Sequence, residues 1–293
     1  MAKFLITGAH GQVGYSLTRK LQGKHNVLAV DRNKLDITDQ SAVKKTVENF
    51  RPDVIINAAA YTAVDRAENE IELSEKINVK GPQYLAEAAK GVGAAILHIS
   101  TDYVFDGQRR EGKYKETDVT DPQGVYGKTK LFGEKAVAAA TDKFIILRTA
   151  WVFGEHGNNF VKTMLRLAKT RDILGIVSDQ IGGPTYAGDI AVALIQIAEQ
   201  IVKGKNVEYG TYHFTGKPYV SWYEFAKAIF AEAVSQNVLE KAPLVNAIVT
   251  AGYPTPAKRP ANSCLDLSKI FQVFGIQPSD WQKALKNISA YAQ

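Results

Sequence analysis

Leu5-Ile6-Thr7-Gly8-Ala9-His10-Gly11-Gln12-Val13-Gly14 is the stretch that decides the fold. An apolar run leads into three glycines spaced three residues apart, and helical spacing of apolar residues follows to Leu21. This pattern predicts a buried strand, a tight turn and a helix whose free N-terminal N–H groups face a pyrophosphate. Glycine suits the turn because it accepts positive φ and lets the backbone approach a phosphate. The residues expected to contact a dinucleotide here are Gly8, Gly11, Gln12 and Val13.

Strands and helices alternate through the first 150 residues. Further apolar runs predict strands at 27–30, 53–57, 94–100 and 144–147. Continuous apolar strands joined by helices are typical of a parallel sheet that is covered on both faces. With right-handed crossovers they predict a doubly wound α/β fold of the Rossmann type. We therefore expect an NAD(P)-binding domain over 1–150 and a smaller, mainly substrate-binding lobe over 151–293, with the segments near 171–203 returning to the first domain.

Composition excludes several classes of protein. The chain has 293 residues, 45% hydrophobic and 23% charged, with one cysteine, Cys264, so no internal disulfide can form. No signal peptide and no membrane-length apolar segment is present, which predicts a cytoplasmic protein. The net charge of +6 comes from scattered lysines without interleaved aromatics, so no nucleic-acid partner is expected. The five histidines are dispersed and predict no metal site.

The adenosine end of the cofactor is expected where the second strand ends. Asp31 stands there, and a carboxylate at this place accepts hydrogen bonds from ribose hydroxyls, which favours NAD. Arg32 follows, and a guanidinium can pair with the 2′-phosphate of NADP. We therefore predict that both NADPH and NADH are used. Asp36 and Ile37 are expected near the adenine, and the small side chains of Ala58-Ala59-Ala60 let the cofactor lie against the backbone.

Tyr126 and Lys130 lie one helical turn apart and share a face of the predicted helix. A free phenol has a pKa of about 10, and a nearby ammonium is expected to lower it, so that the tyrosine can act as proton donor. Lys130 can also hold the nicotinamide ribose. The same spacing recurs at Tyr223 and Lys227, where packing or exposure is the better interpretation. Thr101, at the end of the fourth strand, offers a hydroxyl to a substrate carbonyl.

Six further motifs are more specific than the glycine turn. They are Ile55-Ile56-Asn57-Ala58-Ala59-Ala60-Tyr61-Thr62-Ala63-Val64-Asp65, Ser100-Thr101-Asp102-Tyr103-Val104-Phe105-Asp106-Gly107, Tyr126-Gly127-Lys128-Thr129-Lys130, Gly157-Asn158-Asn159-Phe160, Asp179-Gln180-Ile181-Gly182-Gly183-Pro184-Thr185 and Tyr253-Pro254-Thr255-Pro256-Ala257-Lys258-Arg259-Pro260. Through them the chain, from residue 3 to Trp281, resembles the extended short-chain dehydrogenase/reductase superfamily and, within it, the dTDP-4-dehydrorhamnose reductase family.

The resemblance implies a reaction and a set of residues. The family reduces the C4 ketone of dTDP-4-dehydro-L-rhamnose with NADPH or NADH, the last step of dTDP-L-rhamnose synthesis. It implies Thr101 rather than Ser100 as the catalytic hydroxyl, beside Tyr126 and Lys130. The implied substrate contacts are Thr62, Trp151, Asn159 and Arg259. An indole can stack on a base or sugar, although a core tryptophan is an equal alternative, and an arginine fork suits a diphosphate.

Two alternatives remain beside this hypothesis. One is a reductase or epimerase acting on another nucleotide sugar, and the other is a non-catalytic regulatory subunit on the same fold. Some relatives dimerise through magnesium held by acidic residues, one of them just after the glycine turn. Tyr15-Ser16 stands at that place and carries no carboxylate. We therefore expect no metal, and either a monomer or a different homodimer.

Cofactor use is tested by comparing kcat/KM for NADH and NADPH. Because Asp31 and Arg32 favour opposite cofactors, we expect the two values to lie within about a hundredfold of each other. A larger preference in either direction would contradict dual use.

Overall fold

The computed structural model describes residues 1–292. The strands are β1 (Lys3–Thr7), β2 (Asn26–Val30), β3 (Val54–Asn57), β4 (Ala95–Thr101), β5 (Phe144–Thr149), β6 (Val152–Phe153), β7 (Ile173–Val177), β8 (Ile181–Gly182), β9 (Thr185–Tyr186), β10 (Gly210–His213), β11 (Gly216–Lys217), β12 (Val220–Ser221), β13 (Leu244–Ile248), β14 (Asn262–Ser263) and β15 (Ser279–Asp280). The helices are α1 (Gln12–Leu21), α2 (Gln40–Phe50), α3 (Val64–Ala67), α4 (Ile71–Glu75), α5 (Gly81–Val92), α6 (Val125–Ala140), α7 (Phe160–Ala168), α8 (Ala187–Val202), α9 (Trp222–Ser235), α10 (Ser268–Phe274) and α11 (Trp281–Leu285). Across residues 1–292, every helix is either too short or too polar for a membrane-spanning segment.

Six parallel strands form the central sheet, in the order β10-β5-β4-β3-β1-β2. Side chains alternate across it, as strand geometry requires. Phe4 and Ile6 of β1 enter an apolar cluster with α1 and α8, whereas Leu5 enters a second cluster with α2, α5 and α6. Helices thus cover both faces, and the predicted doubly wound α/β fold is confirmed.

Helices α4 and α5 follow one another and are joined by a wider π-type turn over Lys76–Lys80. Within that turn, the Asn78 amide donates to the Thr129 hydroxyl and to the Tyr61 carbonyl, both at 3.1 Å. Its oxygen accepts from the Tyr61 N–H at 2.8 Å. Such turns are frequent at functional sites. This one ties α6, which carries the predicted phenol and amine, to the loop after β3.

A second lobe is built around α7 and α9, which pack together over a separate apolar cluster. Short strand pairs surround it, including β12-β8-β14 and β6-β9. A capping box starts α9: the Ser221 hydroxyl accepts from the Glu224 N–H at 3.1 Å, and the Glu224 carboxylate accepts from the Ser221 N–H at 2.7 Å. The lobe lies over the carboxyl edge of the central sheet, and a cleft separates the two.

The segments near 171–203 divide between the two parts of the molecule. Helix α8 packs against α1, on the central sheet. The expectation that these segments return to the first domain is wrong for β7, which pairs with β13 in a separate two-stranded sheet. The physical reason is its one-sided burial: Leu174 and Ile176 are buried while Ile173 and Gly175 are exposed, and an inner strand of a covered sheet needs both faces apolar. The edge strand β10 joins β5 and was not anticipated. The division into 1–150 and 151–293 itself stays a prediction.

A buried ion pair joins α6 to β5. The Arg148 guanidinium donates to both Glu134 carboxylate oxygens, at 2.9 and 2.7 Å, and the two side chains are only 6% and 5% exposed. We expect Glu134→Ala to lower the free energy of unfolding by about 3–5 kcal/mol, because it leaves a buried charge without a partner. Denaturant unfolding measures this, with Lys135→Ala on the exposed side of α6 as control. Equal losses in the two variants would contradict a structural role for the pair.

Candidate active site

The cleft between the sheet and the second lobe holds a cavity of about 1180 Å³. It lies at the carboxyl ends of the parallel strands, where ligands bind in open α/β sheets. The predicted site residues that line it are Gly11, Gln12, Val13, Ala58, Ala59, Ala60, Thr62, Thr101, Tyr126, Lys130, Trp151 and Arg259. One cavity therefore brings together the glycine turn, the three predicted catalytic side chains and three of the four predicted substrate contacts.

The glycine turn is closely packed. Gly8 has φ of +68°, and a Cβ there would lie 2.6 Å from the backbone nitrogen of Ala59. A Cβ on Gly14 would lie 2.1 Å from the Gly8 carbonyl oxygen. Among the described residues, no side chain forms a capping hydrogen bond at the start of α1. The first N–H groups of this helix, at the edge of the cavity, are therefore without a side-chain partner. This arrangement fits a pyrophosphate.

The residues expected at the adenosine end lie where β2 ends, beyond the walls of the cavity. The Asp31 carboxylate lies 3.0 Å from Nδ1 of His10, and Arg32 is exposed. Asp36 accepts from the backbone N–H of Thr38 at 2.9 Å, and this bond is the main cause of its lowered pKa. Ile37 is buried in the core beneath α5. Its position is explained by packing, since an apolar side chain there covers the helix.

Tyr126, Thr101 and Lys130 all line the cavity, and burial shifts the pKa values of Tyr126 and Lys130. Burial raises the pKa of Tyr126 to about 12, although the nearby Thr101 hydroxyl acts in the opposite direction. The expectation that Lys130 lowers this pKa is therefore wrong for the protein without cofactor. Burial also lowers the pKa of Lys130 to about 8. Its Nζ donates to the Ile99 carbonyl at 2.6 Å, so within the described structure the amine is bound to the backbone of β4.

Asp102 is a buried carboxyl group in the same cavity that the sequence analysis did not single out. It accepts hydrogen bonds from the hydroxyl of Thr101 at 3.1 Å and from the hydroxyl of Ser263. Burial raises its pKa to about 6, against the lowering effect of these hydrogen bonds. Asp102 thus joins the end of β4 to β14 of the second lobe, and it orients the Thr101 hydroxyl.

Trp151 forms part of the cavity wall in a strained conformation. Its φ is +50°, in the left-handed region that side chains rarely adopt. Its indole stacks on that of Trp222, with ring centroids 3.5 Å apart and planes 10° from parallel. Gly182 makes room, because a Cβ there would lie 2.6 Å from the Trp151 ring. Strain of this kind persists where surrounding packing enforces it, often at ligand sites.

Arg259 and Asn159, both expected to contact substrate, have different positions. Arg259 lines the cavity, and its Nη2 donates to Asp65 at 2.6 Å, while its Nη1 is buried without a hydrogen-bond partner in the described structure. Asn159 is not among the residues that line the cavity, although its neighbours Asn158 and Phe160 are. Its side chain caps α7 by accepting from Lys162 and donates to the Gly154 carbonyl at 2.7 Å. The structure thus gives Asn159 a structural role, and it does not bring this residue to the cavity.

The second lobe contributes a wall that the sequence analysis missed. Its cavity-lining residues include Phe160, Thr163, Met164, Leu167, Arg171, Gly175, Gln180, Trp222 and Tyr253. Helical spacing along α7 predicts a buried face for its apolar residues, but not whether that face meets a core or a cleft. The signal available in the sequence was Trp222, a large aromatic residue in the first turn of α9.

The second copy of the tyrosine–lysine spacing is part of α9 and lies outside the cavity. Tyr223 packs against the second lobe's apolar cluster, and Nζ of Lys227 lies 5.3 Å from the centroid of its ring. The pair is a local packing arrangement on the helix surface.

A doubly wound sheet, a glycine turn and a threonine, tyrosine and lysine opening on one cleft define the class of extended short-chain dehydrogenases/reductases. The family model described as "RmlD substrate binding domain" matches residues 2–293. A protein of Aggregatibacter actinomycetemcomitans named dTDP-4-dehydrorhamnose reductase is 65% identical over the full length of both chains. The chain belongs to the dTDP-4-dehydrorhamnose reductase family.

Solved structures agree with this assignment. A dTDP-4-dehydrorhamnose reductase of Clostridium acetobutylicum is similar with a TM-score of 0.89 and 44% identity, covering 97% of each chain. One from Bacillus anthracis, crystallised in complex with NADP, has the same TM-score and 38% identity, covering 98% of each chain. The expected family is thereby confirmed.

The protonation of Asp102 predicts a pH-dependent stability. A carboxyl pKa raised from 3.8 to about 6 stabilises the fold below pH 4, and this stabilisation is lost as the pH rises through 6. The asparagine of Asp102→Asn does not titrate. Between pH 4 and pH 8, we expect the unfolding free energy of the variant to rise relative to wild type by about 2–3 kcal/mol. Denaturant unfolding at both pH values measures this, with Asp121→Asn, at an exposed position, as baseline; a pH-independent difference would contradict the raised pKa.

Proposed function

We propose that this protein reduces the C4 ketone of dTDP-4-dehydro-L-rhamnose to give dTDP-L-rhamnose, using NADPH or NADH. The observation that carries the proposal is the convergence of Thr101, Tyr126 and Lys130 on the cavity that the glycine turn also lines. The family membership and the name of the 65% identical relative support the same substrate. The NADP complex of the Bacillus anthracis relative supports the cofactor.

The residues present fit a dinucleotide. The N–H groups at the start of α1 suit the pyrophosphate, and Ala58-Ala59-Ala60 offers a flat surface beside it. Ser100 and Thr149 line the cavity, and their buried hydroxyl oxygens have no hydrogen-bond partner among the described residues. Buried polar groups are usually paired, so these two hydroxyls are suited to a polar group of a bound ligand. At the nicotinamide end, the bound cofactor supplies the hydride for C4 of the sugar.

Tyr126 supplies the proton for the same reduction. Its pKa of about 12 keeps the phenol protonated at neutral pH, which is the form that can donate to a carbonyl oxygen. As the ketone becomes an alcohol, the phenolic O–H bond breaks and an O–H bond forms on the sugar. Thr101 has one hydroxyl proton, which it donates to Asp102 in the structure without substrate. In the substrate complex this hydroxyl turns to donate to the oxygen on which negative charge grows. Lys130 holds the cofactor ribose and supports the return of a proton to the phenolate.

The far side of the cavity suits the nucleotide part of the substrate. Arg259 is held by Asp65, and its unpaired Nη1 is a free donor for a diphosphate oxygen. The Trp151 and Trp222 indoles provide an apolar face for a sugar or a base. A volume of about 1180 Å³ exceeds that of most small-molecule pockets, as a nucleotide sugar beside a nicotinamide requires.

We propose a cytoplasmic enzyme that acts without a nucleic-acid partner, as a monomer or a homodimer. Residues 1–292 contain no group of three or more histidine, cysteine or acidic side chains placed to hold a metal ion. The scattered positive charge and the single buried cysteine are consistent with this proposal.

The alternative substrate is another nucleotide sugar, which the same arrangement of phenol and hydroxyl would also reduce. Assays with thymidine-, uridine- and guanosine-linked keto sugars separate these substrates. A regulatory subunit without catalysis is disfavoured, because Thr101, Tyr126 and Lys130 are all present at one cavity. Oxidation of NADPH with the dTDP-keto sugar, generated in situ by enzymes of the preceding steps, tests catalysis directly.

The role of Tyr126 predicts a large loss of activity in Tyr126→Phe. Without the phenolic proton, we expect kcat to fall by more than about 100-fold while the fold is kept. NADPH oxidation with the dTDP-keto sugar measures this, and circular dichroism checks the fold. Tyr223→Phe, in the second copy of the motif, is the matched control and should retain its activity. Retention of more than a tenth of wild-type kcat by Tyr126→Phe would count against the assignment.

A further inference from the structure

A row of buried polar side chains crosses three neighbouring strands behind the catalytic residues. Thr7, Asn57 and His98 stand opposite one another in the parallel register of β1, β3 and β4. The Thr7 hydroxyl donates to Oδ1 of Asn57 at 2.6 Å, and Nδ2 of Asn57 lies 2.9 Å from Nδ1 of His98. The other ring nitrogen, Nε2, lies 3.4 Å from Nζ of Lys130. All four side chains are at most 2% exposed.

A backbone donor fixes the direction of the hydrogen bonds along this row. Oδ1 of Asn57 also accepts from the N–H of Ala59 at 3.1 Å. Because a backbone N–H can only donate, the amide oxygen must face Ala59 and the amide NH₂ must face His98. Nδ1 of His98 therefore accepts a hydrogen bond and carries no proton. Burial lowers the pKa of His98 well below its usual value, so the ring is neutral and its one proton is on Nε2.

The Nε2–H of His98 thus points at Lys130. A neutral amine has a lone pair that can accept a hydrogen bond from this N–H. An ammonium group has only donors, so its N–H groups and the Nε2–H repel each other. The same Nζ donates to the Ile99 carbonyl at 2.6 Å, which either form allows. The chain from Thr7 to His98 therefore stabilises the uncharged amine relative to the ammonium.

Other charged groups near Lys130 act in both directions. Glu134, one turn further along α6, favours the ammonium, but both of its oxygens are bound by Arg148. On the cavity side lie Tyr126, a neutral phenol at neutral pH, and Asp102, a carboxyl group in contact with the second lobe. Burial of Lys130 is the largest influence and favours the neutral amine, in the same sense as His98.

We propose that His98 is a positioning residue whose Nε2–H donates to the neutral amine of Lys130 in the cofactor-free protein and thereby makes that amine easier to deprotonate. The functional meaning of this inference rests on the proposed function, in which Lys130 serves the phenol. Each reduction consumes one proton from Tyr126. When an ammonium at Lys130 returns a proton, its N–H bond breaks, the phenolic O–H bond forms again, and solvent then reprotonates the amine.

The first test uses the wild-type protein and requires no substitution. Nitrogen NMR of ¹⁵N-histidine-labelled protein distinguishes a ring protonated at Nε2 from one protonated at Nδ1 or at both nitrogens. We expect His98 to be the neutral Nε2–H tautomer across the neutral pH range. A proton on Nδ1, or a charged ring, would overturn the inference.

The second test measures the titration of Lys130 in matched variants. In His98→Gln the longer amide can still donate from the place of Nε2, whereas the shorter amide of His98→Asn faces Asn57 and cannot reach Lys130. The side-chain signal of Lys130 is followed in protein labelled with ¹³C,¹⁵N-lysine and assigned by its absence in Lys130→Arg. We expect its midpoint to rise by about one pH unit in His98→Asn and to change little in His98→Gln.

Equal midpoints in wild type and His98→Asn, or equal shifts in both variants, would overturn the proposal. Thermal unfolding and NADPH binding, followed by fluorescence, show whether each variant is folded. If His98→Asn fails to fold, the wild-type tautomer still decides the question. Activity on the dTDP-keto sugar is measured separately, because an inactive wild type would refute the proposed function and leave both NMR readings unaffected.

Discussion

The parallel register of β1, β3 and β4 is the constraint on which the rest of the structure depends. It places Thr7, Asn57 and His98 side by side in the interior, where each must find a hydrogen-bond partner. A slip of one residue would turn these side chains to the other face and leave them unpaired. With the register fixed, the three strands end at one level. The glycine turn, the alanines after β3 and Thr101 at the end of β4 therefore border the same cleft.

Burial determines the chemistry of the site more than pairing of opposite charges does. It keeps the Tyr126 phenol protonated, favours the neutral amine of Lys130 and raises the pKa of the Asp102 carboxyl group. The sequence suggested an ammonium that lowers the pKa of the phenol, because helical spacing places the two residues on one face. Spacing along a helix does not reveal that the amine is held by the Ile99 carbonyl of a neighbouring strand.

The two lobes meet through contacts between residues far apart in the chain. Arg259 from the second lobe donates to Asp65, which follows β3, and Ser263 donates to Asp102. These contacts give the cleft its polar rim, and within the described residues they leave Nη1 of Arg259 buried without a hydrogen-bond partner. The family motifs pointed to Arg259 but not to its partner. Asn159, from an equally specific motif, caps α7 behind the wall, because a motif does not distinguish contact with a ligand from support of the chain that makes it.

The sequence by itself determined the parallel sheet, the glycine turn and the family, since apolar runs, glycine spacing and local motifs act over a few residues. It also pointed to Thr101, Tyr126 and Lys130, all of which line the cavity. Only the tertiary structure decided that β7 belongs to the second lobe, that β10 completes the sheet, that His98 lies beside Lys130 and that Asp102 lies beside Thr101. These features depend on which distant segments pack together and on how deeply a group is buried, and neither is a local property of the chain.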